Sequence, residues 1–197
     1  TYFFYHGVAS GDPLDDRVIL WTRVTPQQAG PLEAILEISE NKNFSSVIFS
    51  KKLQTSSLSD YTIKYDFLAK QYCDSDKGFF YRFRAGNEIS EIGKTRTFSE
   101  NTIAAKIGIF SCSNFPAGYF NAYQAAAKKN DLDLWLHLGD YLYEYPMGGY
   151  ATDKAEKLGR VPMPLHEMIT LSAYRHRHSQ YKPAQGSKAL PKHAPLI

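Results

Sequence analysis

The run His137-Leu138-Gly139-Asp140-Tyr141-Leu142-Tyr143-Glu144 closes an apolar stretch that begins at Leu132. Its Gly-Asp-x-x-Tyr spacing sets a carboxylate and a phenol together where a buried strand leaves its sheet. Carboxylate and phenolate oxygens suit hard cations, and open α/β sheets carry their ligands at the carboxyl ends of strands. Metal-assisted hydrolysis is the chemistry these residue types point to.

The elements that must position them can be read from the flanking sequence. Lys106-Ile107-Gly108-Ile109-Phe110 predicts a second short buried strand, followed at once by Ser111-Cys112-Ser113-Asn114 in a loop. Between the strands, Gly118 to Lys129 carries Tyr119, Tyr123, Ala126 and Ala127 at helical intervals and predicts an amphipathic helix beginning near Pro116. Strand, helix, strand makes a right-handed crossover, so both loops fall at one edge of a parallel sheet. Cys112, Asp140 and Tyr143 then converge as thiolate, carboxylate and phenolate. Each has a plainer role when taken alone: Cys112 as a small core residue or inert thiol, Tyr143 as core, Asp140 as the cap of a turn. The conjunction carries the claim. Asn114 and His137 lie near enough in sequence to support these ligands from behind, or to make structural hydrogen bonds only.

A change of hydrophobic period divides the chain. Up to about Ser99, short alternating stretches at Val18 to Val24, Ala34 to Ile38, Thr62 to Phe67 and Phe79 to Phe83 are separated by turn clusters, the spacing of a small antiparallel sandwich. From Ile103 the pattern becomes strand-helix-strand. The expected organisation is an α+β two-domain chain: residues 1–100 as an antiparallel β-sandwich, and residues 101–197 as part of a second domain, with Glu100-Asn101-Thr102 at the junction. Met147 to Pro164 reads as a long excursion, either a mobile border to an active site or a plain surface loop.

Composition narrows the function classes. A hydrophobic fraction of 43% and a charged fraction of 22% are those of an ordinary globular protein. A net charge of +3 is too mild to indicate nucleic-acid binding, and no stretch of the sequence is apolar for long enough to span a bilayer. The basic cluster Arg175, His176, Arg177, His178 and Lys182 falls on a predicted helix, as a solvated face or an anion-steering patch. Two cysteines define no disulfide framework, and with Cys112 as a ligand Cys73 is left unpaired.

Other catalytic signatures fail on their residues. A cysteine-nucleophile phosphatase needs arginine six residues after its cysteine, and that position is Gly118. Gly93-Lys94-Thr95 lacks the earlier glycine of a P-loop, and no Gly-x-Ser-x-Gly occurs.

The segment His6-Gly7-Val8-Ala9-Ser10-Gly11-Asp12-Pro13, followed by Val18-Ile19-Leu20-Trp21-Thr22-Arg23-Val24, resembles the opening of the PhoD-like alkaline phosphatase D family. Phe80-Tyr81-Arg82-Phe83, Gly93 to Phe98, Ser111 to Asn114, Gly118 to Tyr123, Leu136 to Glu144 and Tyr174 to His178 with Tyr181 continue the likeness in the same order. The resemblance implies a secreted, periplasmic or extracellular phosphohydrolase acting on phosphomonoesters and phosphodiesters. Its architecture is a fibronectin- or Ig-like β-sandwich followed by an α/β metallophosphatase domain, with Fe3+ and Ca2+ as cofactors. Carried onto this sequence, it makes Asp140 a bridge between metals and Cys112 and Tyr143 ligands of iron, and metal-activated hydroxide attacks the phosphoester.

The resemblance also sets a departure. Ala189 to Ile197 ends where family members enter a buried strand and an Asp-Asp-His-Glu block, so residues 101–197 correspond to the first part of the metallophosphatase domain. The expectation is an incomplete metal shell and an inactive fragment. The competing reading is a non-catalytic binding or surface-interaction module derived from the same family. The opening Thr1-Tyr2-Phe3-Phe4-Tyr5 is what a mature or trimmed product would show.

Overall fold

The computed structural model describes residues 2–74, 76–184 and 194–196. It is mostly sheet with two helices. In chain order the strands are β1 (Tyr2–Phe3), β2 (Val8–Gly11), β3 (Val18–Arg23), β4 (Thr25–Pro26), β5 (Leu32–Ser39), β6 (Val47–Thr55) and β7 (Thr62–Phe67). They continue with β8 (Gly78–Ala85), β9 (Glu88–Ile89), β10 (Gly93–Arg96) and β11 (Ile107–Phe110), then helix α1 (Asn121–Lys129), strand β12 (Leu134–His137) and helix α2 (Leu171–Ala184).

Two antiparallel sheets face each other in a sandwich-like arrangement. One has the order β2-β3-β7, and the other β10-β8-β5-β6 with β9 on the end of β8. Alternation explains the facing: in β3 Val18, Leu20 and Thr22 are buried, and in β8 Phe79, Tyr81, Phe83 and Ala85 are. These residues meet Leu36, Ile38, Ile63 and Phe67 in one cluster. Each large side chain fully buried there contributes about 1.5–3 kcal/mol. On the outer face of β5, Glu37 is held between Arg82 at 2.7 Å and Arg84 at 2.9 Å. The nine-residue β6 has no regular burial pattern, as befits an edge strand, and sequence reading passed over it.

Gly93 stands opposite Tyr81 in the β10–β8 ladder, and its Cα lies against the tyrosine ring; a Cβ there would come within 2.3 Å of Cζ. The fully buried ring cannot retreat.

β1 and β4 form a separate antiparallel pair, and the elements from β11 onward build a further unit beside the sandwich. β11 and β12 pair in parallel, with Ile107 opposite Leu134 and Phe110 opposite His137, and α1 connects them. Tyr123 and Ala127 of α1 pack on Trp135 and Phe110. The helix starts at Asn121 rather than Gly118, because the preceding Phe115 and Pro116 are buried in a turn and Phe120 offers no capping side chain. It ends at Asn130, whose left-handed φ of 52° is a common helix stop. β12 is shorter than the Leu132–Leu138 run; ahead of it, Asp133 donates its N–H to Lys106 O at 2.9 Å while its carboxylate accepts from the Lys106 N–H at 2.8 Å and from Arg96.

Of the segment Ala189 to Ile197, only residues 194–196 fall within the described residues. Leu196 lies between the two sheet systems, in parallel bridges with Gly11 of β2 and Trp135 of β12. Its N–H donates to Ser10 O at 2.8 Å, its carbonyl accepts from Asp12 N at 3.0 Å, and the Pro195 carbonyl accepts from Trp135 N at 3.0 Å. The hydrogen-bonded run therefore continues from β7-β3-β2 through Leu196 to β12-β11.

Candidate metal centre

The site forms where β11 and β12 end. The ladder continues past the strands: Leu138 N–H donates to Phe110 O, Cys112 N–H to Gly139 O at 3.1 Å, and Ser113 N–H to Asp140 O at 2.8 Å. Cys112 and Asp140 then turn sharply, each with a left-handed φ (57° and 52°), a conformation uncommon for residues other than glycine, asparagine and aspartate. These turns bring the Cys112 thiol to 3.5 Å and the Tyr143 hydroxyl to 3.0 Å from the same oxygen, Asp140 Oδ2. Cys112, Gly139 and Asp140 are exposed, so the cluster opens to solvent.

Partial desolvation, followed by hydrogen bonding to Cys112 and Asp140 and their charges, pushes the Tyr143 phenol above its ordinary value. With the chain alone, Tyr143 therefore keeps its proton and donates it to the carboxylate. Three acidic groups crowded on one point favour a cation, which reverses this protonation balance. The carboxylate and phenol suit a hard cation and the thiol a softer one, so the set fits a highly charged ion of borderline character. Among the described residues no group of three or more His, Cys, Asp and Glu side chains comes together at metal-binding spacing, so the set comprises two such groups and a phenol.

His137 points away from the cluster. Its Nδ1 accepts from the Gly139 N–H at 3.4 Å, and its Nε2 lies 2.8 Å from Tyr123 Oη and 3.1 Å from Ser113 Oγ. That pattern makes Nε2 the protonated nitrogen. Burial lowers the His137 pKa, with Asp140 opposing, so the ring holds the Gly139 turn as a neutral group. Ser113 also hydrogen-bonds Tyr123 and is buried, which removes it as a nucleophile. Asn114, in the same loop, has a buried Oδ1 without a hydrogen-bond partner among the described residues.

A family model described as PhoD-like phosphatase, N-terminal domain matches residues 1–99, and one described as PhoD-like phosphatase matches residues 107–197. The chain belongs to the PhoD-like phosphatase family. Alkaline phosphatase D of Bacillus subtilis (strain 168) is 35% identical over 204 residues, covering 96% of this chain and 33% of that protein. A solved structure titled as that of PhoD superposes with a TM-score of 0.88 at 31% identity, over 98% of this chain and 38% of that one. The chain thus spans about a third of the length of the curated PhoD-like relative it matches.

Two features of this PhoD-like chain escaped sequence reading. The excursion from Met147 to Pro164 has no regular structure, yet it is closed by Met147 N–H on Leu165 O at 2.8 Å. It is also pinned by the buried Arg160, which donates to Phe115 O at 2.6 Å and lies over the Phe115 and Phe120 rings. Arg177, read as part of a basic helical face, is instead only 1% exposed and turns inward. Arg177 stands between Tyr174 and Tyr181 but Arg160 has no aromatic residue near it in sequence, and the partners of both are backbone carbonyls with no signature of their own.

Proposed function

We propose that this chain forms part of a metal-dependent phosphoester hydrolase, with Cys112 and Tyr143 binding Fe3+ and Asp140 shared between that ion and a neighbouring Ca2+. The observation that carries the reading is the meeting of a thiol and a phenol on one carboxylate oxygen at the open end of a parallel strand pair. Family membership supports phosphomonoesters and phosphodiesters as the substrate class. The bound cations would supply Lewis acidity toward a phosphoryl oxygen and an acidified water.

The chain's own groups orient and do not attack. Tyr143 aligns the Asp140 carboxylate, the Cys112 and Ser113 amides fix the carbonyls of Gly139 and Asp140, and His137 holds the Gly139 N–H. Residues 1–100 serve as a fibronectin- or Ig-like β-sandwich domain and residues 101–197 as the first part of the metallophosphatase domain. The working location is periplasmic or extracellular. Three donors do not complete two metal sites, so the remaining ligands belong to sequence that the longer relatives possess.

The test is titration of the chain with Fe3+ supplied as its nitrilotriacetate complex. The wild-type chain should develop a visible charge-transfer band, Tyr143→Phe should weaken and shift it, and Cys112→Ser should weaken iron retention. Band and iron content unchanged in both variants would overturn the assignment.

A further inference from the structure

Arg177 and Tyr181 lie one turn apart on α2 and are both buried, at 1% and 0% exposure. Helix α2 is capped by Thr170, whose hydroxyl accepts from the Ala173 N–H at 3.2 Å. Its inward face meets the two loops that carry the cluster.

The Arg177 guanidinium sits in a cage of carbonyls. Nη1 donates to Tyr143 O at 2.6 Å, Nε to Met163 O at 2.9 Å, and Nη2 to Pro164 O at 2.9 Å and Tyr145 O at 3.3 Å. Among the described residues it makes no ion pair. A cation buried this deeply costs several kcal/mol unless its donors are satisfied, and here carbonyls do so. Only a forked, planar donor can hold backbone from two separate stretches at once.

Tyr181 completes the arrangement from the other side. Its oxygen accepts from the Phe115 N–H at 3.0 Å, in the loop just beyond Cys112. The two side chains thus touch the backbone of Tyr143 and of the loop that follows β11. The ladder between the two loops ends with the Ser113 N–H to Asp140 O bond, and among the described residues no backbone hydrogen bond joins Phe115 to Tyr143.

We infer that Arg177 and Tyr181 are positioning residues that lock the Tyr143 peptide to the Cys112 loop, so that phenol and thiol converge on Asp140. Their role in metal binding rests on the reading under Proposed function; the brace itself does not. A helix that only filled space would need neither a buried cation nor a buried hydroxyl at these positions.

The test uses the 197-residue chain with Tyr181→Phe and Arg177→Lys. Native-state amide exchange should quicken by about tenfold or more at Phe115 in Tyr181→Phe, and at Met147 and Met168, whose N–H groups donate to Leu165 O and Glu144 O, in Arg177→Lys, while Leu36 and Phe83 in the sandwich keep wild-type rates. Arg177→Lys should fail to restore wild-type behaviour, because one ammonium cannot span four carbonyls. Both variants should also weaken the Fe3+ charge-transfer band. Unchanged exchange at these amides, or acceleration spread equally through the sandwich, would overturn the brace. A wild-type chain without an iron band, but with the local exchange response, would uphold the brace and count against the metal reading alone.

Discussion

The Arg96 guanidinium and the Asp133 carboxylate meet at 2.5 Å, tying the last strand of the antiparallel sheet to the turn that opens β12. Asp133 also accepts from the Lys106 N–H, so one carboxylate anchors the start of both parallel strands. Asp133→Ala should cost about 1–3 kcal/mol by leaving these donors without their acceptor, measured as a lowered denaturant midpoint. A change within error would mean that water replaces the carboxylate at no cost.

Gly93→Ala should destabilise the sandwich by about 1–3 kcal/mol or more, because the new methyl has no room beside Tyr81. The companion change Tyr81→Leu in the Gly93→Ala background should recover part of that loss, since it removes the colliding ring. Equal melting of Gly93→Ala and wild type would refute the contact.

Acidification should weaken the contact between α2 and the start of the chain. His6 Nε2 lies 3.0 Å from Ser179 Oγ, and the His6 ring stacks on His178. Burial, with Arg23 and Lys182 nearby and His178 adding to the effect on His6, lowers both pKa values from 6.5 to about 4, Asp60 opposing. The unfolded chain therefore binds more protons between those values, and stability falls as pH drops from about 6.5 to about 4. A His6→Gln/His178→Gln variant should show a shallower decline of Tm across that window; parallel declines would remove these rings as the cause.

A polypeptide ending at Ser99 should fold by itself as a β-rich unit with a cooperative melt, since the sandwich cluster draws all its buried residues from Val8 to Ala85. Circular dichroism decides this. A disordered product would place the boundary elsewhere.

The 197 residues alone should hydrolyse neither p-nitrophenyl phosphate nor its bis ester at an enzymatic rate with Fe3+ and Ca2+ present, because three donors leave a metal exchangeable and water unpositioned. Turnover above about 1 s⁻¹ would contradict this.

The strands of the sandwich were legible where alternation is strict. Val18, Leu20 and Thr22 in β3 point one way and their neighbours the other, so period alone identifies the strand. β6 lacks that regularity because its edge position leaves Ser50, Lys51 and Lys52 exposed in succession. The proximity of Cys112, Asp140 and Tyr143 was legible because adjacent parallel strands must end side by side. His137 was read as a support behind the ligands or as a purely structural hydrogen-bonding residue, and its ring hydrogen-bonds the Gly139 backbone and the Tyr123 and Ser113 hydroxyls. Arg177 was opaque for a different reason. A basic residue on a helix announces a solvated face, and only the carbonyls of Tyr143, Tyr145, Met163 and Pro164, once folded around it, supply a reason to bury it.

The seam at Leu196 bears on the order in which this protein assembles. Ser10 and Leu196 are neighbours across a backbone hydrogen bond though almost the whole chain separates them, so this contact carries close to the largest loop-closure entropy available to the sequence. Contacts of such high order form late, and during synthesis the amino-terminal sheets leave the ribosome long before Leu196 does. Until then the β2 edge waits with Ser10 O and Asp12 N–H open to solvent, the interval in which a nascent chain is most exposed to pairing with a stranger.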